Sequence, residues 1–256
     1  MVDLSTGVQT RIGTFVWHEN HSTDVEKAKS FYSELLGWEI EPWKPGSEMD
    51  YSIIKSGEQM HGGFMAAQGG APSHWLGHVL VENADETAKR AEAGGGRVIA
   101  GPMDMPEVGR FAIIADPQGA VLSIFQGSGE GDMPSEGVFV WDELGTSDPD
   151  AAARFYGDVL GWTASPADPN LGGYRIFTRG EDQVAGFMKL PADMPAPPHW
   201  QVYIGTDDVD KTTARAKELG ATVIVEPMDI PNDIGRFSVL QDPAGAVFGL
   251  YKSGSS

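Results

Sequence analysis

The 256-residue sequence has no cysteine, which excludes disulfide bonds and thiolate metal sites. It also has no apolar run near the roughly 20 residues that a membrane-spanning helix needs. Its first residues, MVDLSTGVQTR, lack the apolar segment of a secretory signal peptide. We therefore expect a cytoplasmic protein with no membrane partner.

Basic side chains are scarce, and the chain is strongly acidic. Lysine and arginine number 18 against 37 aspartates and glutamates, which gives a formal net charge of -19. Such a surface repels phosphate backbones, so nucleic acid is not an expected partner. Hydrophobic residues make up 41% of the chain, which is enough for an ordinary folded core.

One stretch of the sequence occurs twice. Gly13–Trp38 reads GTFVWHENHSTDVEKAKSFYSELLGW, Gly137–Trp162 reads GVFVWDELGTSDPDAAARFYGDVLGW, and 12 of the 26 positions are identical. Chance gives about one or two identities at ordinary residue frequencies. The repeat predicts one supersecondary unit used twice. It also predicts two domains, 8–126 and 137–253, joined by a flexible linker at 127–136.

Each copy opens with a strand and a helix. The aromatic and β-branched residues of Thr14–Glu19 predict a strand. Thr23, followed by Glu26, predicts a capping box at the start of the first helix. In the second copy, Asp148-Pro149 predicts a cap and a first-turn proline. Three short strands are predicted after the first helix and two matching ones after its counterpart, and the repeat makes the β-α-β-β-β order the basic module.

Each copy then carries a histidine-tryptophan pair, a second helix, a Gly-Arg-Phe triplet and an Asp-Pro-x-Gly turn. These are, in the two copies, His74-Trp75 and His199-Trp200, Arg110 and Arg236, and Asp116–Gly119 and Asp242–Gly245. For the paired histidines we favour a shared structural hydrogen bond over a ligand role, and for the arginines a surface salt bridge. The β-α-β-β-β order occurs twice in each copy, so the chain contains four modules.

The strand, the D-x-x-x-A-x-x-F-Y helix ending in L-G-W, the D-P-x-G turn and the βαβββ order resemble the vicinal oxygen chelate superfamily. That superfamily includes glyoxalases, bleomycin-resistance proteins and extradiol dioxygenases. The resemblance implies an α+β fold in which four βαβββ modules form two tandem domains, with curved, mainly antiparallel sheets around a concave pocket. It also implies a pseudo-two-fold pairing of the two domains, in a monomer or a homodimer.

In this superfamily, metal ligands lie on the first and last strands of each module. Carried over to this sequence, those positions hold Trp17 and Trp141, Gly62 or Gly63, Ala185 or Gly186, Leu76, Gln201, Ser123 and Gly249. Only the glutamine has a side chain suited to a metal ion, and a stable site needs about three or four ligands. The resemblance therefore implies a degenerate metal site, and we expect no metal and no other cofactor.

Aromatic residues and a glutamate alternate along the first strand of each copy. Because side chains alternate across a strand, they share one face and predict a ligand-binding wall. The predicted ligand-binding residues are Phe15, Trp17, Glu19, His78, Phe139, Trp141, Glu143, Gln201 and Tyr203. A partly desolvated carboxylate beside an indole is a candidate general base. The candidate catalytic residues are therefore Glu19, paired with His78 in the first copy, and Glu143, grouped with the glutamine and tyrosine in the second.

Two alternatives stay open for these positions. The two glutamates could be structural, either capping the end of their strand or pairing with the Gly-Arg-Phe arginines. A one-residue shift of the first strand would instead turn His18 inward, where His18, His61 and His78 could approach a metal ion.

Three functions are compatible with this sequence. The first is metal-independent binding of a small aromatic or apolar molecule, as in the drug-sequestering members of the superfamily. The second is a metal-dependent glyoxalase or dioxygenase-type enzyme with a rearranged site. The third is a metal-independent isomerase or hydrolase that uses Glu19 or Glu143 as its base. The aromatic wall and the degenerate ligand positions favour the first.

Overall fold

The computed structural model describes residues 11–43, 50–57, 59–128, 138–191 and 196–254, in which two eight-stranded mixed sheets and four α-helices form. The elements of the first half are β1 (Phe15–Ser22), α1 (Val25–Leu36), β2 (Glu39–Pro42), β3 (Tyr51–Ser56), β4 (Gln59–Ala66), β5 (His74–Leu80), α2 (Ala84–Ala93), β6 (Arg97–Met105), β7 (Gly109–Ala115) and β8 (Val121–Gly127). Those of the second half are β9 (Phe139–Thr146), α3 (Pro149–Leu160), β10 (Thr163–Ala164), β11 (Arg175–Arg179), β12 (Asp182–Lys189), β13 (His199–Gly205), α4 (Val209–Glu218), β14 (Thr222–Ile230), β15 (Gly235–Gln241) and β16 (Val247–Ser253). Among these described helices, none combines the length and apolar character that a bilayer span requires.

Each sheet contains two βαβββ modules, as the sequence predicts. The strand orders are β2-β3-β4-β1-β5-β8-β7-β6 and β10-β11-β12-β9-β13-β16-β15-β14. The first and last strands of a module are parallel neighbours, for example β1 with β4 and β5 with β8. The remaining strands of each module pair antiparallel. The predicted α+β fold of four modules is confirmed.

The helix starts differ in one detail from the prediction. Asp24 caps α1, because its side chain accepts a hydrogen bond from the backbone N–H three residues later at 3.2 Å. The predicted capping box of Thr23 and Glu26 is therefore wrong. The backbone N–H of Thr23 instead donates to the Ser73 hydroxyl at 3.0 Å. In the second copy Asp148 caps α3 and the proline after it lies in the first turn, as predicted.

The described chain divides into two compact units, and each unit takes one module from each half of the sequence. Unit 1 consists of residues 11–16, 77–128, 141–191 and 196–200, and unit 2 consists of residues 17–43, 50–57, 59–76, 138–140 and 201–254. The boundaries 8–126 and 137–253 follow the sequence repeat and stay a prediction. Of the predicted linker, 127–136, only the first two residues are among those described.

A hydrogen-bonded chain in unit 2 connects three of the repeated motifs. Trp75 Nε1 donates to the Tyr32 hydroxyl at 2.9 Å, and that hydroxyl donates to Asp242 Oδ2 at 3.0 Å. The other oxygen of Asp242 accepts from three backbone N–H groups of its own turn. Burial raises the pKa of Tyr32 well above its usual value, so the phenol keeps its proton and acts as a donor.

Unit 1 contains the same series of hydrogen bonds, formed by the other copies of the motifs. Trp200 Nε1 donates to the Tyr156 hydroxyl at 3.0 Å, and Tyr156 donates to Asp116 at 3.1 Å. The histidines before the two tryptophans each bond a proline carbonyl through Nδ1 at 2.8 Å. The structural hydrogen bond predicted for His74 and His199 is confirmed.

Candidate functional site

An indole, a phenol and a carboxylate form one cluster on the first module. Trp17 Nε1 donates to the Tyr51 hydroxyl at 2.8 Å, and that hydroxyl donates to Glu19 Oε1 at 2.7 Å. Trp17 and Glu19 lie two residues apart on β1, so they share one face of the strand. Tyr51 comes from β3, which is separated from β1 by β4 in the sheet. The cluster therefore lies on one face of three adjacent strands.

A glycine on the intervening strand makes this approach possible. Gly63 of β4 is the register partner of Glu19, and a Cβ added to Gly63 would collide with the Tyr51 hydroxyl. Glycine alone leaves room for the phenol to reach across β4 to the first strand. Burial, and then the nearby charge of Glu19, raise the pKa of Tyr51 well above its usual value. At neutral pH the phenol is therefore a hydrogen-bond donor.

The third module repeats the indole–phenol bond and the glycine beside it. Trp141 Nε1 donates to the Tyr174 hydroxyl at 2.9 Å. Gly186 takes the place of Gly63, since it is the register partner of Glu143 and an added Cβ would collide with the Tyr174 hydroxyl. We call the cluster around Trp17, Tyr51 and Glu19 the first aromatic site and the one around Trp141, Tyr174 and Glu143 the second aromatic site.

The first aromatic site has one more polar member. His21 Nε2 lies 3.2 Å from Glu19 Oε2, and the His21 ring stacks on His74 with ring centroids 4.9 Å apart. Glu19 is only 8% exposed and His21 only 7%. Burial lowers the pKa of His74, so this outer ring is neutral at neutral pH. Both oxygens of Glu19 are thus engaged by side chains from the same unit.

Two of the predicted wall residues pack in hydrophobic cores. The Phe15 ring lies 5.3 Å from the Trp200 ring in unit 1, and the Phe139 ring lies 5.3 Å from the Trp75 ring in unit 2. The His18 ring lies 4.4 Å from Phe139. These contacts stabilise the fold, and a ligand-binding role for the two phenylalanines stays a prediction.

The other predicted site residues are buried on the fifth strand of each half. His78 is the register partner of Ser123, and Tyr203 is the register partner of Gly249. Gln201 donates through Nε2 to its neighbouring carbonyl, that of Val202, at 2.9 Å. His78 belongs to unit 1 and Glu19 to unit 2, while the second-copy glutamate and its partners are likewise divided between units. Both predicted pairings therefore stay predictions.

Three members of the sites were missed by sequence reasoning, namely Tyr51, Tyr174 and His21. The sequence held a signal for the two tyrosines, because each lies at or just before the start of the third strand of its module.

The surface salt bridges predicted for the Gly-Arg-Phe arginines are confirmed. Arg110 contacts Asp85 and Asp104, and its counterpart contacts the equivalent two aspartates.

The residues at the superfamily's ligand positions do not fit a divalent metal ion. The Trp17 indole nitrogen is a donor with no lone pair to offer a metal, and here it donates to Tyr51. Glycine stands at the fourth-strand position, and the neighbouring phenol occupies its space. Across the described ranges, no group of three or more histidines, aspartates or glutamates is placed to hold a metal. The strand register also keeps Trp17 and Glu19 on the side of Tyr51, which contradicts the one-residue shift that would turn His18 inward.

Two family models match the chain. One is described as a glyoxalase-like domain and matches residues 139–251. The other is described as the glyoxalase/bleomycin resistance protein/dioxygenase superfamily and matches residues 21–124. The two matches fall on the two halves of the repeat.

Relatives of known name cover nearly the whole chain. A Mycobacterium tuberculosis protein that carries the name glyoxylase CFP32 is 36% identical over 252 residues, covering 94% of this chain and 95% of its own. The anthracycline biosynthesis protein DnrV of Streptomyces peucetius is 34% identical over 262 residues, covering 93% of this chain and 92% of its own.

Solved structures share the fold. The Mn(II)-bound glyoxalase from Novosphingobium aromaticivorans superposes with a TM-score of 0.66 at 17% identity, covering 94% of this chain and 82% of that one. A catechol 2,3-dioxygenase superposes with a TM-score of 0.64 at 15% identity, covering 96% and 90%. At such low identity these neighbours indicate the architecture alone.

Proposed function

Since the chain belongs to the glyoxalase/bleomycin resistance protein/dioxygenase superfamily, we propose that it binds a small aromatic or apolar molecule beside Trp17 and beside Trp141 without the superfamily's metal ion. The observation that carries the proposal is the indole–phenol hydrogen bond, which occupies the ligand positions of the superfamily in both aromatic sites. Partly exposed aromatic rings next to a carboxylate offer a flat apolar surface with one polar anchor.

The names of the relatives guide the choice of probe. Two Streptomyces relatives are named as anthracycline biosynthesis proteins. A hydroxylated anthraquinone is therefore a suitable aromatic probe, and cyclohexanol is a suitable small apolar comparison. We propose further that the protein acts in the cytoplasm as a monomer or homodimer and uses neither nucleic acid nor membrane as a partner.

A titration of chelator-treated protein tests the proposal. The protein is treated with EDTA, desalted, and titrated separately with 1,8-dihydroxyanthraquinone and with cyclohexanol while intrinsic fluorescence and calorimetric heat are recorded. We expect saturable binding that is unchanged by chelation and weakened at least about tenfold by Trp17→Ala and Trp141→Ala together, because a stacked aromatic contact is lost. Trp17→Phe keeps a flat ring and should keep most of the affinity.

A matched pair of tyrosine variants provides the control. Tyr51→Phe removes the hydroxyl within the first aromatic site, whereas Tyr251→Phe removes one that donates to a carbonyl elsewhere in unit 2. Only the first should change binding. Binding that appears only after addition of Mn²⁺ or Fe²⁺ would overturn the proposal in favour of a metal-dependent glyoxalase or dioxygenase-type enzyme. Absence of binding to both probes would also overturn it.

A second function is favoured by the surroundings of Glu19. Its carboxylate is nearly buried, lies beside an aromatic ring and is held in one place by two side chains, which makes it a candidate for an oriented general base. We therefore also propose metal-independent acid–base chemistry, of isomerase or hydrolase type, with Glu19 or Glu143 as the base. The test is to replace each glutamate by glutamine and to measure whether the variant loses the turnover of a substrate that the wild-type protein converts.

A further inference from the structure

The two aromatic sites are not equivalent at one position. Two residues beyond the glutamate, the first site has His21 and the second has Gly145. In the second site Leu190, just after the end of β12, fills the space beside Gly145. A Cβ added to Gly145 would lie 2.6 Å from a methyl carbon of Leu190. A ring carbon of His199 lies 3.3 Å from the same added Cβ. The repeat therefore keeps the indole, the phenol and the glutamate, but an imidazole two residues beyond the glutamate occurs in the first half only.

The imidazole and the phenol together fix the carboxylate of the first site. An ionised carboxylate can only accept hydrogen bonds, so its contact with His21 at 3.2 Å requires the imidazole hydrogen on Nε2. Tyr51 donates to the other oxygen at 2.7 Å. Two donors from two strands leave Glu19 one orientation, and a base held in one orientation is more effective than a freely rotating one.

We propose that Glu19 of the first aromatic site is a general base for a flat aromatic carbon acid, that His21 is its positioning residue, and that this chemistry is largely confined to the first site. The inference rests on the proposed function, because the aromatic molecule must first bind beside Trp17. The second aromatic site, with Gly145 and Leu190 in place of the imidazole, serves mainly to bind.

A benzisoxazole supplies a probe whose reaction needs only a base beside an aromatic surface. In 5-nitrobenzisoxazole the base takes the hydrogen on C3, and the C–H electron pair becomes the third bond of a nitrile. The ring N–O bond breaks at the same time, and its electron pair leaves on oxygen. The products are the 2-cyano-4-nitrophenolate anion and a protonated Glu19, which then returns its proton to water. No oxidant, reductant or metal takes part.

The full-length protein is assayed by the absorbance of the phenolate, against a buffer blank. We expect saturable turnover, reduced at least about tenfold in kcat by Glu19→Gln, in line with the usual contribution of a positioned base. Glu143→Gln should remove only a minor share of the rate. The exposed Glu226→Gln is the matched control for loss of a carboxylate, since Glu226 lies on β14, the edge strand of the second sheet.

Two substitutions of His21 separate positioning from folding. His21→Leu removes the hydrogen-bond donor to Glu19 and should lower kcat roughly threefold or more. KM should stay within about twofold, because stacking of the probe on Trp17 is unchanged. His21→Gln keeps an N–H donor and should restore most of kcat. Equal loss in both variants, or a change in KM alone, would remove His21 from the role. If Glu19→Gln does not fold, the His21 pair still decides the matter.

The outcomes also distinguish this inference from the proposed function. Quenching of tryptophan fluorescence by the probe without turnover would overturn the inference and leave ligand binding intact. Turnover that Glu143→Gln lowers as strongly as Glu19→Gln would overturn its confinement to the first site. Absence of both quenching and turnover would count against both proposals for this class of molecule.

Discussion

The Tyr32 hydroxyl donates to Asp242 at 3.0 Å across 210 residues of sequence, and Tyr156 makes the same bond to Asp116 across 40. Both tyrosines and both aspartates are buried. Each bond joins a helix of one half of the sequence to a turn of the other half. These two contacts lie within the compact units, each of which combines modules from both copies of the repeat.

Removal of either buried hydroxyl should destabilise the protein. Tyr32→Phe leaves the Asp242 carboxylate and the Trp75 N–H without their shared partner, and an unsatisfied buried group costs about 1–3 kcal/mol. We expect a loss of that size in the free energy of unfolding from urea titration, and a similar loss for Tyr156→Phe. The control is Tyr251→Phe, whose hydroxyl is more exposed. A loss below about 0.5 kcal/mol for Tyr32→Phe, the range of surface substitutions, would contradict the expectation.

Replacement of Asn20 by leucine should stabilise the protein. Asn20 is 0% exposed, and neither polar atom of its side chain has a hydrogen-bond partner within the described part of the chain. The equivalent residue of the second copy is Leu144, which is fully buried in a hydrophobic cluster. Asn20→Leu should raise the free energy of unfolding by about 1–2 kcal/mol, because it removes a buried amide whose lost hydration is not replaced by hydrogen bonds.

The reciprocal substitution completes this test. Leu144→Asn should destabilise the protein by several kcal/mol, since it buries an amide and removes apolar contacts. Differential scanning calorimetry of both variants gives the two changes. A lower melting temperature for Asn20→Leu would mean that the amide has a stabilising partner in solution.

The two buried aspartates should contribute to the free energy of unfolding by an amount that decreases as pH rises. Burial raises the pKa of Asp116 and of Asp242 above the ordinary carboxyl value of 3.8, although hydrogen bonds to each partly offset it. The folded state therefore holds these protons more tightly than the unfolded state does. Their contribution is fully present below the ordinary pKa and is lost as pH rises through the raised value.

Urea midpoints measured from pH 3.5 to 7 for wild type and Asp242→Asn isolate the contribution of Asp242. The asparagine oxygen still accepts the backbone N–H groups of the turn, while the titration is gone. Relative to the variant, the wild type should lose stability across the lower part of this range. The surface variant Glu226→Gln, which removes one exposed carboxylate, is measured alongside as the control. A wild-type stability that rises relative to Asp242→Asn would refute the assigned direction.

Filling the space at Gly63 should disrupt the first aromatic site selectively. Gly63→Ala forces a methyl group against the Tyr51 hydroxyl, so the bonds from Trp17 and to Glu19 cannot both survive. We expect weaker anthraquinone binding, a shift in tryptophan emission and a stability loss of about 1–3 kcal/mol from overpacking.

Another glycine of the same sheet provides the control for that substitution. Gly127→Ala adds the same methyl group on β8, where the nearest atom of Phe125 would lie 3.7 Å away. It should leave ligand binding and emission unchanged. Retained binding in Gly63→Ala would show that the phenol is not part of the binding surface.

Sequence reasoning found the local features of this protein because each depends on neighbours in the chain. The cap at Asp148, the strand that carries Trp17 and the module order follow from spacing and residue type. The sequence predicts the cap of α1 one residue too early, because Thr23 and Asp24 are both good caps. In the folded protein Asp24 is the cap, and the backbone N–H of Thr23 bonds Ser73, which lies 50 residues away.

By itself, the sequence determined that there are four modules, where the repeated motifs lie, and that the superfamily's metal-ligand positions hold indole and glycine. Only the tertiary structure decided which copy of each motif meets which, and that Tyr51 and His21 hold Glu19. The physical reason is that these contacts join strands and turns that are far apart in the sequence, so residue spacing along the chain does not predict them. A hydroxyl reaches its acceptor only after the sheet has formed and a glycine has left the space open.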